Sequence, residues 1–118
     1  MLVAIFLSSL LNTGWAQTSA RPVASVPKGD VAKGRIAYMT CTQCHNKDPN
    51  KKGPIGPELV DAPYEIMLWK VVNGGGYPAT LPAGFVPKRK SKAMKKIPNS
   101  VKDVPNIYAW IQSVKLKK

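Results

Sequence analysis

The chain is poor in cysteine, histidine and acidic residues. Its 118 residues include two Cys, one His and only six Asp and Glu. Two cysteines allow at most one disulfide, so a disulfide network cannot stabilise the fold. A structural zinc site requires four protein ligands, and Cys and His together supply only three. A single domain of this length is marginally stable without such a staple, so a bound cofactor that fills the core is one way to supply it.

The shortage of acidic residues leaves a strongly basic protein. Eighteen Lys and Arg give a formal net charge of +12. A surface of this charge attracts acidic partners, which include nucleic acid, anionic lipid and acidic proteins. Charge alone does not distinguish among these three classes.

The chain also lacks a long apolar run. The stretch Leu2–Leu11 is apolar except for two serines, and it is too short to cross a bilayer as a helix. It is typical of the apolar region of a signal peptide, and Gly14-Trp15-Ala16 places small residues where a signal peptidase reads them. All charged side chains follow Ala16, so we predict a signal peptide over residues 1–16, although no basic residue precedes the apolar run. A buried N-terminal helix is the alternative.

Apolar residues recur at helical spacing, and the chain shows neither strand-like alternation nor internal repeats. We therefore predict an all-α fold with three to four short helices and long loops, and place the folded domain at residues 30–118. Asp30 and Asp103 are the expected N-caps of the first and last helices. The predicted segments are a flexible lead-in over 17–29, helices over 31–40, over 63–72 and from about 103, and a long loop over 77–96.

The sequence Cys41-Thr42-Gln43-Cys44-His45 is the pattern of c-type haem attachment. Two thiols at this spacing can reach the two vinyl groups of one porphyrin, and the adjacent histidine then lies under the iron. Attachment requires reduced thiols in an exported chain, which agrees with the predicted leader. A dithiol redox motif is a rival interpretation, but no βαβ pattern surrounds the cysteines. The motif therefore predicts one covalent haem c on Cys41 and Cys44, with His45 as an iron ligand.

A second iron ligand is expected among the methionines, because a thioether is a common sixth ligand of electron-transfer haems. Met39 lies on the helix that leads into the motif and cannot reach the opposite face of the haem. Met67 falls on an amphipathic helix, where ordinary core packing explains it better. Met94 lies among lysines in the long loop, where packing gives little reason for it, so we predict Met94 as the sixth ligand. The alternatives are a core-filling Met94 or an iron with an open position.

With these residues the domain resembles a class I monohaem cytochrome c over nearly all of its length. Gly34 and Tyr38 correspond to the small residue and the aromatic of that family's N-terminal helix, which crosses the C-terminal helix near Trp110. Gly56-Pro57-Glu58-Leu59 resembles the family's Gly-Pro-x-Leu. The resemblance implies that the Pro57 carbonyl orients His45 and that Leu59 packs on the haem. The chain departs from the family in its 73–93 stretch and in having Lys95, not proline, after Met94.

The resemblance implies an electron carrier of the periplasm and not an enzyme. The haem would be exposed at an edge, and lysines of the loop around Met94 would dock acidic redox proteins. The alternative interpretation is that this basic loop is only solvated. Arg89 is a candidate partner for a haem propionate.

Neither nucleic-acid binding nor stable membrane insertion after signal cleavage is expected, and the protein would be a monomer or a small subunit. Rival functions are a haem c subunit of a larger oxidoreductase, such as one that oxidises sulfur compounds, and a haem protein with an open distal site. The basic cluster around Met94 comprises Lys88, Arg89, Lys90, Lys92, Lys95 and Lys96.

Overall fold

Three α-helices and two 3₁₀ segments form the regular structure of residues 26–89 and 92–116, the part of the chain that the computed structural model describes. This part contains no strand, so the all-α prediction is confirmed. The predicted signal peptide lies outside the described residues, as does most of the 17–29 lead-in. In chain order the elements are α1 (Val31–Ala37), a 3₁₀ segment (Tyr38–Gln43), α2 (Tyr64–Asn73), a second 3₁₀ segment (Pro98–Asp103) and α3 (Val104–Val114).

The ends of the helices follow local chemistry that the sequence already indicates. The Asp30 side chain caps α1 by accepting a hydrogen bond from the backbone N–H of Lys33 at 3.0 Å. Gly74 ends α2 with φ of +84°, a conformation that favours glycine. Asp103 occupies the N-cap of α3 as predicted, but its side chain makes no capping hydrogen bond there.

Two boundaries differ from the prediction. The α-helix expected to reach residue 40 ends at Ala37, and the chain tightens into the 3₁₀ segment that contains Cys41. Within this segment the Thr42 hydroxyl donates to the Met39 carbonyl three residues earlier, at 2.7 Å. Such local side-chain bonds compete with α-helical pairing. Tyr64–Asn73 is one residue later at each end than the predicted 63–72, because Pro63 serves as the N-cap.

Helices α1 and α3 pack closely at Gly34. A Cβ atom on Gly34 would overlap the backbone carbonyl of Asn106, so the crossing requires glycine here. Nearby, the rings of Tyr38 and Trp110 lie 4.8 Å apart between centroids. The predicted crossing of the N- and C-terminal helices is therefore present, and it explains a glycine that costs helix stability.

The core lies along the inner face of α3. Val104, Ile107 and Ile111 of that helix are buried against side chains of α2 and against Tyr38. The end of α3 is also held by Asn50, whose side chain donates to the Val114 carbonyl at 2.9 Å and accepts from the Leu116 N–H at 3.0 Å. None of the helices in the described part of the chain is long and apolar enough to span a membrane.

Candidate functional site

One large cavity brings the predicted site residues together. Its volume is about 940 Å³, at the upper end of the range for small-molecule and cofactor pockets, which is roughly 300–1,000 Å³. Most of its wall is apolar, as expected for a site that shields a cofactor from water. The predicted site residues that line it are Cys41, Cys44, His45, Pro57, Leu59 and Met94.

The two cysteines lie at the end of the first 3₁₀ segment. The backbone N–H groups of Cys44 and His45 both donate to the Cys41 carbonyl, at 3.3 and 2.9 Å, which winds the motif tightly against the cavity. Both thiols are half-buried, and neither is in a disulfide. Burial, with a smaller contribution from Cys44, raises the pKa of Cys41 to about 11, so this thiol is protonated at neutral pH.

His45 is oriented by a backbone carbonyl. Its side chain is buried, with 8% of the residue exposed, and Nδ1 lies 2.9 Å from the Pro57 carbonyl oxygen. A carbonyl only accepts hydrogen bonds, so the ring proton lies on Nδ1. Burial is the largest influence on the His45 pKa and lowers it, against the opposing effect of the Pro57 bond. The neutral ring therefore leaves the Nε2 lone pair free for a metal.

The turn that carries Pro57 is folded onto the cysteine motif. The N–H groups of Ile55 and Gly56 donate to the Cys44 carbonyl at 3.2 and 2.8 Å, and the Gly53 N–H donates to the Gly56 carbonyl at 2.9 Å. A Cβ atom on Gly56 would overlap the His45 ring. Glycine at this position therefore lets the turn approach the imidazole closely enough for the Pro57 bond.

The methionines occupy three different environments. Met94 is half-buried, packs against the core and lines the cavity. Met67 is 8% exposed within the core and also lines the cavity, so both are near it. Met39 is 70% exposed on the first 3₁₀ segment and is not among the lining residues, which agrees with its exclusion as a ligand.

The basic cluster is not uniform. Lys88 contacts Glu58 at 2.7 Å and Asp61 at 3.3 Å, and Lys115 contacts Asp61 at 3.1 Å. Hydrogen bonds from these lysines lower the pKa of both carboxyl groups. Lys88 is thus paired with two carboxyl groups, a feature that its place in the basic cluster does not predict. Lys92, Lys95 and Lys96 are exposed, and Lys90 lies outside the described residues.

Arg89 has a role that sequence reasoning missed. Its guanidinium donates to the Ile55 carbonyl from Nη1 at 2.6 Å and to the Gly53 carbonyl from Nη2 at 3.3 Å. Its own carbonyl accepts from the Tyr77 hydroxyl at 3.0 Å. The guanidinium predicted to pair with a propionate is therefore largely engaged with backbone carbonyls, although Arg89 still lines the cavity.

Aromatic residues of the long loop, which no motif marked as site residues, also form part of the wall. Tyr77 and Phe85 line the cavity with their ring centroids 6.0 Å apart. The Lys70 ammonium lies 3.7 Å above the centre of the Tyr77 ring. Two aromatics within a loop rich in glycine and proline were the available signal that this loop encloses an apolar space.

Comparison with protein-family models, with curated proteins and with solved structures finds no match to this chain. The described residues contain no group of three Cys, His, Asp or Glu side chains that could hold a metal ion. The donor set at the cavity is instead two thiols, one neutral imidazole and the thioethers of Met67 and Met94, within largely apolar walls. These residues suit a haem, because its periphery accepts thiols and its iron accepts imidazole and thioether ligands.

Proposed function

We propose that this chain is an exported electron carrier that holds one covalent haem c, as in the class I monohaem cytochromes c. The proposal depends chiefly on one observation. Both cysteines of the attachment motif, its histidine and Met94 line one cavity whose volume suits a cofactor. When bound, the haem supplies the one-electron chemistry of its iron.

Cys41 and Cys44 would attach the group. Each thiol would add across one vinyl double bond, so that sulfur bonds to one vinyl carbon and the thiol hydrogen goes to the other. The two thiols are not joined in a disulfide and line the cavity, as this addition requires. The two bonds would fix the orientation of the group relative to His45.

His45 and Met94 would hold the iron. The Pro57 carbonyl fixes the Nδ1–H tautomer, which leaves Nε2 as the ligand atom and increases its basicity. Leu59 would pack on the haem. A closed iron with two protein ligands changes little between oxidation states, which favours electron transfer over catalysis. The apolar wall would limit water at the iron and so raise its reduction potential.

Exposed lysines near Met94 would dock acidic redox partners. Lys92, Lys95 and Lys96 are exposed on the segment that brings Met94 to the cavity. Attraction between this surface and an acidic protein would accelerate encounter. The proposed setting is the periplasm, with the protein acting as a monomer or a small subunit.

The test is to produce the full chain in a bacterium that attaches haem c to exported proteins. The haem should stay with the denatured polypeptide, and its pyridine haemochrome spectrum should report two thioether bonds. Cys41→Ala should change that spectrum to the single-thioether form. Haem that is absent, or that is extracted by acidified organic solvent, would contradict the proposal.

The ligand set is tested by a pair of methionine variants. Oxidised wild-type protein should show the weak far-red band of thioether ligation. Met94→Ala should lose this band and lower the potential, whereas Met67→Ala, which removes the other methionine that lines the cavity, should keep the band. Rapid carbon monoxide binding by reduced wild-type protein would instead favour an open distal site. Co-purification with a catalytic partner would favour a subunit of a larger oxidoreductase.

A further inference from the structure

Arg89 and Lys88 connect the long loop to the turn that orients His45. Arg89 reaches back 36 and 34 positions to the carbonyls of Gly53 and Ile55. Lys88 reaches Glu58 on the other side of Pro57, at 2.7 Å. Two consecutive side chains therefore hold this turn on both sides of the carbonyl that accepts from His45.

The hydrogen bonds of the turn explain why Arg89 is needed. The Gly56 carbonyl accepts from the Gly53 N–H, and the Pro57 carbonyl accepts from His45. The Gly53 and Ile55 carbonyls accept from Arg89. A planar guanidinium can donate to two neighbouring acceptors at once, which a lysine ammonium does with less geometric definition.

We infer that Arg89 is a positioning residue for His45, because it holds the 53–57 turn in the shape that keeps the Pro57 carbonyl on Nδ1. Arg89 is itself held at its backbone, where its carbonyl accepts from the Tyr77 hydroxyl. The 77–89 loop thus joins the hydrogen-bond system of His45. Any effect of Arg89 on a haem rests on the proposed function. The hydrogen bonds of Arg89 to the turn do not depend on it.

The first measurement is backbone hydrogen exchange, which reports on the turn whether or not haem is bound. The amides of Ile55 and Gly56 donate to the Cys44 carbonyl, so they exchange when the turn opens. Arg89→Ala should speed both amides about tenfold or more, since it removes both hydrogen bonds from a charged donor. Arg89→Lys should speed them less, since an ammonium holds the two carbonyls with less geometric definition. The amide of Ile111, in the core of α3, should be unchanged. Unchanged exchange at Ile55 and Gly56 would overturn the inference.

The second measurement separates geometry from charge in the haem-loaded protein. Arg89→Lys keeps the positive charge, so loss of this cation cannot explain a change in potential. A weaker Pro57 bond makes His45 a poorer donor to ferric iron, and the potential should rise. Arg35→Lys, at an exposed site on α1 away from the cavity, should have the wild-type potential. A wild-type potential in Arg89→Lys would overturn the link to His45.

The two proposals fail in different ways. If the chain purifies without haem, the proposed function fails, and the exchange measurement still decides whether Arg89 holds the turn. In that case the nitrogen NMR shifts of His45 replace the potential. In Arg89→Lys the ring proton should be distributed over both nitrogens instead of staying on Nδ1, and retention of the wild-type tautomer would overturn the inference.

Discussion

Replacing Gly56 with alanine should displace His45, because a Cβ atom at this position has no room. It would lie 2.8 Å from Nε2 of the ring, and closer still to Cε1 and Nδ1. Ordinary contacts between non-bonded carbon atoms are about 3.5–4.0 Å, so the ring must move by roughly 1 Å. Gly56 does not have a positive φ, so the substitution changes contacts and leaves the backbone preference satisfied.

The cost of Gly56→Ala can be worked out from these contacts. A 1 Å shift of the ring breaks the 2.9 Å bond to Pro57, which is worth about 1 kcal/mol. Overpacking adds about 1–3 kcal/mol. The reduced freedom of the unfolded chain returns about 0.4–1 kcal/mol. The free energy of unfolding should therefore fall by about 1–3.5 kcal/mol.

Denaturant unfolding of the full chain measures this loss. Lys52→Ala is the control, because it changes an exposed side chain of the same loop. It should unfold within about 0.5 kcal/mol of wild type. In haem-loaded Gly56→Ala, the absorption spectrum should also show altered axial ligation. Wild-type stability together with a wild-type spectrum would refute the close approach of the turn to His45.

Two further predictions concern stability. Gly34→Ala should lower the free energy of unfolding by about 1–2 kcal/mol, because the new Cβ meets the rigid backbone of Asn106. This loss exceeds the gain in helix propensity of about 1 kcal/mol. Thermal unfolding, with Lys33→Ala as the control, measures the change, and a stabilised Gly34→Ala would contradict the helix crossing. Glu58 and Asp61 have lowered pKa values, so their stabilising effect is complete above the unfolded values of about 4 and is lost as pH falls through the lower folded values. The double variant E58Q/D61N should therefore lose stability less steeply on acidification. A pH profile of stability as steep as that of wild type would exclude these two carboxyl groups as a source of the acid sensitivity.

The parts of the structure that the sequence predicts are those governed by local rules. Asp30 caps a helix through a bond three residues away, and Gly74 ends one through its own backbone freedom. The attachment motif spans five residues, and the Pro57 carbonyl follows from a resemblance in a second short motif. In each case the residue type and its near neighbours carry the information.

The missed features depend on contacts between distant parts of the chain. The Arg89 side chain bonds carbonyls 34 and 36 residues earlier, and Asn50 bonds the end of α3 64 residues later. Backbone carbonyls are present at every position, so no residue type marks them as partners. In the sequence Lys88 does not differ from the other lysines of the cluster, and only the fold shows its contact with Glu58. Residue spacing cannot reveal pairings of this kind.

The docking prediction is tested best on Lys92, Lys95 and Lys96, because Lys88 is paired with two carboxyl groups. If acidic redox proteins bind the exposed lysines, reversing Lys92, Lys95 and Lys96 to Glu should slow electron transfer at low salt by tenfold or more and should flatten its dependence on ionic strength. Lys33→Glu changes an exposed charge on α1, away from the cavity, and should have a much smaller effect. Stopped-flow rates with an acidic redox protein, compared with those for an uncharged reductant, separate steering from a changed potential. If the triple variant keeps the wild-type salt dependence, these lysines do not steer the partner, and the positive charge of the chain serves another purpose.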